Sequence, residues 1–217
     1  SDCLVVGIYE NQPLEKNATQ LDALTNGLIS QLLGRGDIKA KVGETLLINH
    51  TGLAGIARIV LLGFGDKAKL NRKSYRKAIQ SLVKLLRETK LKSATAALLD
   101  IEVDGTDLVW CGRQIIEVFH DGLYQYSATK KIEDKVAFSG LAIVANSDQI
   151  QLAGVALQQG VAIAKGVELA KNLADLPGNI CTPTYLAEQA QALAVNHPHL
   201  NCEVLEEADM QALGMGA

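Results

Sequence analysis

Several groups of residues have types and spacings that could do chemistry. Gly63-Phe64-Gly65-Asp66-Lys67-Ala68 fits Gly-x-Gly-x-x-Ala, the spacing with which a dinucleotide-binding turn brings backbone N–H groups to a pyrophosphate. Two features argue against that use: the helix after it starts only near Asn71, and Glu88, the nearest acidic residue at a suitable distance, falls inside that helix. A plain strand-end turn is the competing reading. His197 and His199 flank Pro198 and would offer two imidazoles to a metal, yet no Cys, Asp or Glu completes a ligand spacing beside them. A solvated loop accounts for the pair. His50 and His120 stand singly, as hydrogen-bonded or exposed histidines commonly do. The basic residues Lys67, Lys69, Arg72, Lys73, Arg76, Lys77, Lys84, Arg87, Lys90 and Lys92 crowd one segment, which would track a phosphate backbone or form a solvated helix face. An aromatic content of 4% leaves few rings for stacking on single strands. Asp104 and Asp107, like Glu206, Glu207 and Asp209, fall at helix starts, where capping and the helix dipole explain carboxylates.

The rest of the composition bounds the answer. A chain of 217 residues, 48% hydrophobic, buries a sizeable core and amounts to one domain and part of another. A net charge of −3 gives no overall electrostatic reason for nucleic acid or an anionic membrane as the main partner. No stretch reaches the roughly 18 apolar residues of a membrane span, and Ser1-Asp2-Cys3 opens no signal-peptide pattern, so a cytoplasmic protein is expected. Cys3, Cys111, Cys181 and Cys202 lie far apart with no Cys-x-x-Cys pair and read as reduced thiols. A nucleophilic cysteine would need a base that the sequence does not place.

The elements that position these residues follow from periodicity. Cys3 to Tyr9 is a short apolar run ended by Asn11-Gln12-Pro13, a buried strand and turn. Leu21, Leu24, Leu28 and Leu32 keep helical spacing and predict one helix closed by Gly34-Arg35-Gly36. Strands are predicted at Glu44 to Asn49, Arg58 to Gly63, Ala94 to Ile101 and Phe138 to Val144. Between them lie helices from Asn71 to about Lys90 and from about Asp107 to Tyr124. Lys130 to Lys135 is a charged connection. This alternation implies crossover units and a mainly parallel, wrapped sheet, an α/β domain. A long alanine-rich helix runs from Asp148 to Asp175, with Asp148 and Gln151 as a capping box. After Leu176-Pro177-Gly178-Asn179 a new helix starts with Thr182 as N-cap and Pro183 at its first position. Then come a strand from Cys202 to Leu205 and a short helix from Ala208 to Leu213, too little to enclose a core.

Asn172-Leu173-Ala174-Asp175-Leu176-Pro177-Gly178-Asn179-Ile180-Cys181-Thr182-Pro183-Thr184-Tyr185-Leu186-Ala187 resembles the junction of leucyl aminopeptidases, where a bridging helix hands over to the catalytic domain. The family keeps an Asn, a Pro-x-Asn and a Thr-Pro at this spacing, and its order of elements upstream is similar too. The resemblance implies a macro-domain-like N-terminal α/β domain over 1–147, a linker helix over 148–176 and an incomplete second α/β domain over 177–217. It further implies an exopeptidase with two divalent ions, manganese or zinc, acting on peptides and assembled as a hexamer. Two such ions bind the α-amino group, polarise the scissile carbonyl and lower the pKa of a bridging water. The family's Val-Gly-Lys-Gly, Asp-x-Gly-Gly and Asn-Thr-Asp-Ala-Glu-Gly-Arg strings are absent, so no catalytic, metal or substrate-binding residue is carried onto this chain. These residues are expected to bind no metal and to be inactive alone, serving assembly or access. The alternative is a nucleotide- or nucleic-acid-binding α/β module.

Overall fold

A computed structural model of the chain describes residues 1–89 and 91–216. The predicted helix end at Lys90 therefore lies outside the described residues. Five strands form one sheet: β1 (Cys3–Ile8), β2 (Thr45–Ile48), β3 (Ile59–Gly63), β4 (Ser93–Ala97) and β5 (Gly140–Ile143), in the order β2-β3-β1-β4-β5. β1 pairs in parallel with β3 and β4, β4 pairs in parallel with β5, and only β2, at the edge, runs antiparallel. The sheet is thus mainly parallel and α/β, as the alternation of elements implied. β1 and β3 read as continuous apolar runs because both of their faces are covered. One face packs on Tyr75, Ile79, Leu82 and Leu86 of α3 (Arg72–Glu88) and on Cys111, Ile115 and Phe119 of α4 (Leu108–Leu123). The other packs on Ala18 and Leu21 of α1 (Lys16–Leu24) and Ile29 of α2 (Leu28–Arg35).

The single helix predicted through Leu21 and Leu32 is two. Asn26 (φ 54°) and Gly27 (φ 80°) both take the left-handed conformation, which cannot propagate a right-handed helix. The Asp22 carboxylate accepts from the Ser30 amide (3.0 Å), tying the second helix back across the break. Caps fall where composition placed them elsewhere: Asn71 accepts from Lys73 N (3.0 Å) and Ser74 N (3.1 Å), and Asp107 from Trp110 N (2.6 Å).

α5 (Ile150–Asp175) is the long alanine-rich helix. Its start is not the box predicted at Asp148 and Gln151. Instead the Asn146 amide donates to Gln149 Oε1 (3.2 Å) and the Gln149 amide donates to Asn146 O (2.9 Å), two residues earlier in the chain. α6 (Pro183–Asn196) begins as predicted, with Thr182 Oγ1 accepting from Tyr185 N (3.2 Å), and α7 spans Glu207–Ala212. The chain divides into two compact units, 1–125 with 132–168, and 126–131 with the residues from 169 on. In the second unit no described residue from 169 on is buried. The strand predicted at Cys202 to Leu205 is irregular and exposed, because no described strand of that unit offers it a hydrogen-bonding edge.

Candidate functional site

In open parallel sheets, ligands favour the carboxyl ends of the strands where the chain order reverses, and here that point is β1, flanked by β3 and β4. Tyr9 follows β1 there and is 98% buried among apolar neighbours, 2% of its surface being exposed. Its Oη has no hydrogen-bond partner among the described residues, and burial pushes its pKa well up, Glu15 and Asp100 adding to the effect. Asp100, just beyond β4, accepts from the Asn17 amide through Oδ2 (3.0 Å) and so caps α1, whose own N-cap residue, Glu15, makes no side-chain cap bond. Its Oδ1 is buried without a partner among the described residues, and burial is the main force raising this carboxyl's pKa. Lys67 closes the group, donating to Glu15 (2.6 Å) and standing 5.3 Å over the Tyr9 ring. Periodicity did not single out this cluster. The available signal was Asp100 directly after an apolar strand.

The glycine turn lies beside it, and its geometry does not favour the nucleotide reading. Gly63 N donates to Glu44 O (2.8 Å), Phe64 N to Ile8 O (2.9 Å) and Gly65 N to Ala40 O (2.8 Å). The amides that would cradle a phosphate are therefore spent on the chain's own carbonyls. A Cβ on Gly63 would stand 2.3 Å from Lys41 O, so the glycine admits the chain's own backbone and not a pyrophosphate. Asp66 instead caps a short 3-10 turn over Lys67–Lys69, accepting from Ala68 N (3.0 Å).

Much of the basic segment is likewise engaged with the chain's own groups at the surface. Lys69 pairs with Asp66 (3.2 Å), Arg72 donates to Gly105 O (2.9 Å) and lies 5.6 Å over the Trp110 ring, and Arg87 donates to Gly122 O (2.8 Å). Arg76 reaches Gln114 and pairs with Glu117 (3.6 Å). The arginines thus tie α3 to α4 and to the segment leading into it, and although Lys67, Lys69, Arg72 and Arg87 are exposed as well, their charges are engaged within the chain, which does not favour a nucleic-acid track over the exposed Lys73, Lys77, Lys84 and Lys92 alone. Lys90 lies outside the described residues.

The histidines do not converge: His50 sits in the exposed β2–β3 connection, His197 and His199 in the exposed turn after α6, and His120 on the rim of a groove. That groove, of about 580 Å³, lies among α4, the 132–141 segment and α5, with Phe119, Phe138, Leu141 and Leu157 in its walls. Among the described residues no three His, Cys, Asp or Glu side chains converge as a metal site would require. Cys3 and Cys111 are buried, and burial raises both thiols' pKa, the Cys3 thiol to about 11, which is the reverse of an activated nucleophile.

Comparison with known proteins decides what the local chemistry does not. Residues 5–133 match the profile described as cytosol aminopeptidase family, N-terminal domain, and residues 168–217 that of the family's catalytic domain. The chain belongs to the cytosol aminopeptidase family. It is 39% identical over 218 residues to a probable cytosol aminopeptidase of Actinobacillus pleuropneumoniae serotype 3 (strain JL03), covering 99% of this chain and 44% of that protein. The chain thus spans less than half the length of such relatives. Two solved structures share the fold: a tomato leucine aminopeptidase mutant (TM-score 0.71, 21% identity, 99% of this chain and 44% of that one) and the bottromycin maturation enzyme BotP in complex with Mn (TM-score 0.71, 20% identity, 99% and 40%). No helix among the described residues is long and apolar enough to cross a membrane.

Proposed function

We propose that this chain is the N-terminal segment of a two-metal leucyl aminopeptidase that releases N-terminal amino acids from peptides, the segment serving assembly or access and not catalysis. The observation that carries the reading is the order of the two family profiles in one chain, N-terminal domain at 5–133 and catalytic domain from 168, in register with a relative 39% identical throughout. Residues 1–147 are then the N-terminal domain, 148–176 the linker helix, and 177–217 the opening of the catalytic domain. Two divalent ions (Mn or Zn), peptide substrates, a hexameric assembly and a cytoplasmic setting belong to the same reading of the whole protein. The side chains present do not fit a metal pair, since two-metal hydrolysis needs several carboxylates converging on both ions and no such set exists among the described residues. No catalytic step is therefore assigned to these residues, and alone they are inactive in this reading.

The test is hydrolysis of a leucine chromogenic amide with added Mn, comparing this chain with one extended by the downstream portion of the A. pleuropneumoniae relative. Activity only in the extended form supports the reading. Activity in neither removes the peptidase assignment, and activity in the short chain shows that the chemistry lies within these residues.

A further inference from the structure

α5 is apolar around most of its circumference, yet one face alone is covered. Ala156, Gly160 and Ala164 are its buried residues, and a Cβ on Gly160 would stand 2.8 Å from Ile116 Cβ, so α4 packs against bare backbone there. At 3.6 residues per turn, Leu152, Val155 and Ile163 fall on the adjoining face, centred about a quarter turn round with the exposed Gln159 among them, and Val167 prolongs the buried stripe itself one turn further on. They remain 48%, 37%, 41% and 43% exposed. Gln151, Gln158 and Lys165, seven residues apart, make the narrow polar strip that faces water. A surface helix needs one apolar stripe, whereas a helix apolar on two faces is suited to being covered on both.

We propose that Leu152, Val155, Ile163 and Val167 form a docking seam for the part of a cytosol aminopeptidase catalytic domain that the relatives carry beyond the match to this chain. The inference rests on the reading of the chain as the N-terminal segment of such a protein. Continuity selects the occupant. The catalytic-domain profile begins at residue 168, immediately after Val167, so the seam runs up to the point where the chain enters that domain. The matched relative holds more than as much sequence again, this chain covering 44% of it.

Photochemical carbene footprinting reads the seam directly, on this chain at low and high concentration and on the chain extended by the A. pleuropneumoniae relative's downstream portion. The seam residues are expected to lose labelling several-fold in the extended form, while Gln151, Gln158 and Lys165 keep theirs. Equal seam labelling in both forms overturns the proposal. Loss of labelling in the short chain as its concentration rises also overturns it, because a second copy is then the occupant. The double substitution Val155→Lys and Ile163→Lys gives an independent check. It should leave the melting temperature of the short chain unchanged and lower that of the extended form; an equal drop in both would mean that these residues stabilise the first unit itself. Seam protection in an inactive extended form would uphold the seam and sink the peptidase reading, and activity with a fully labelled seam would do the reverse.

Discussion

At the scale of single residues, Asp100 carries a testable conflict between capping and burial. Its carboxylate caps α1 through the Asn17 amide, but burial holds its pKa above the ordinary carboxylate value. A folded-state pKa above the unfolded one means that the folded chain holds the proton more tightly. The resulting stability is complete below the unfolded pKa and is lost as pH rises through the folded pKa. Asp100→Asn removes that titration. The stability of this variant relative to wild type, followed by urea unfolding, should therefore increase as pH rises from about 4 through the folded carboxyl's raised pKa, and a difference that stays constant with pH would refute the argument. Gly63 gives a second test. A methyl there meets the Lys41 carbonyl, which belongs to hydrogen-bonded backbone and has no rotamer to escape into. Gly63→Ala should cost about 1–3 kcal/mol in urea unfolding, whereas Gly34→Ala, in α2 with nothing within 4 Å, should be neutral or stabilising by up to about 1 kcal/mol. Equal effects at the two positions would show that the close approach is not what requires Gly63.

At the scale of elements, α3 depends on a reciprocal cap, because the Asn71 side chain takes two amides while the Asn71 amide donates to Ser74 Oγ (2.9 Å). Asn71→Ala should cost about 1 kcal/mol in urea unfolding, and a loss under about 0.3 kcal/mol would mean that packing alone sets the helix start. Sequence reading succeeded for elements whose pattern is local. β1 and β3 are unbroken apolar runs, and α3 shows one apolar stripe. It failed where a local signal hid behind a stronger period, as when the Leu21, Leu24, Leu28 and Leu32 spacing masked the Asn26-Gly27 turn between α1 and α2. It failed too where a partner was needed, since Cys202 to Leu205 has strand-like residues but no neighbouring strand. The glycine turn was legible as a pattern and not as a fit, because what fills it is Ala40 and Lys41, some twenty residues upstream. The contact between Asp100 and Asn17 spans 83 residues and left no local mark beyond an acid after a strand.

At the scale of the whole molecule, the two units differ in how they are held. The first has buried clusters on both faces of its sheet, and the second has no buried described residue from 169 on. Amide hydrogen exchange should therefore run faster from Ile180 onward than in β1 and β3, and equal protection in both would contradict an incomplete second unit. The sheet order has a further consequence during synthesis. β1 leaves the ribosome ahead of the other four strands of the sheet, yet both of its neighbours come far later, β3 beginning at Ile59 and β4 at Ser93. Until the ribosome has released residues through Gly63 the apolar stretch Leu4-Val5-Val6 has two bare hydrogen-bonding edges, and until it has released those through Ala97 one edge stays bare and the core unfinished. At about 5–20 residues per second, that leaves the central strand of the sheet open on at least one side to chaperones, or to another nascent chain, for several seconds before β4 can close it.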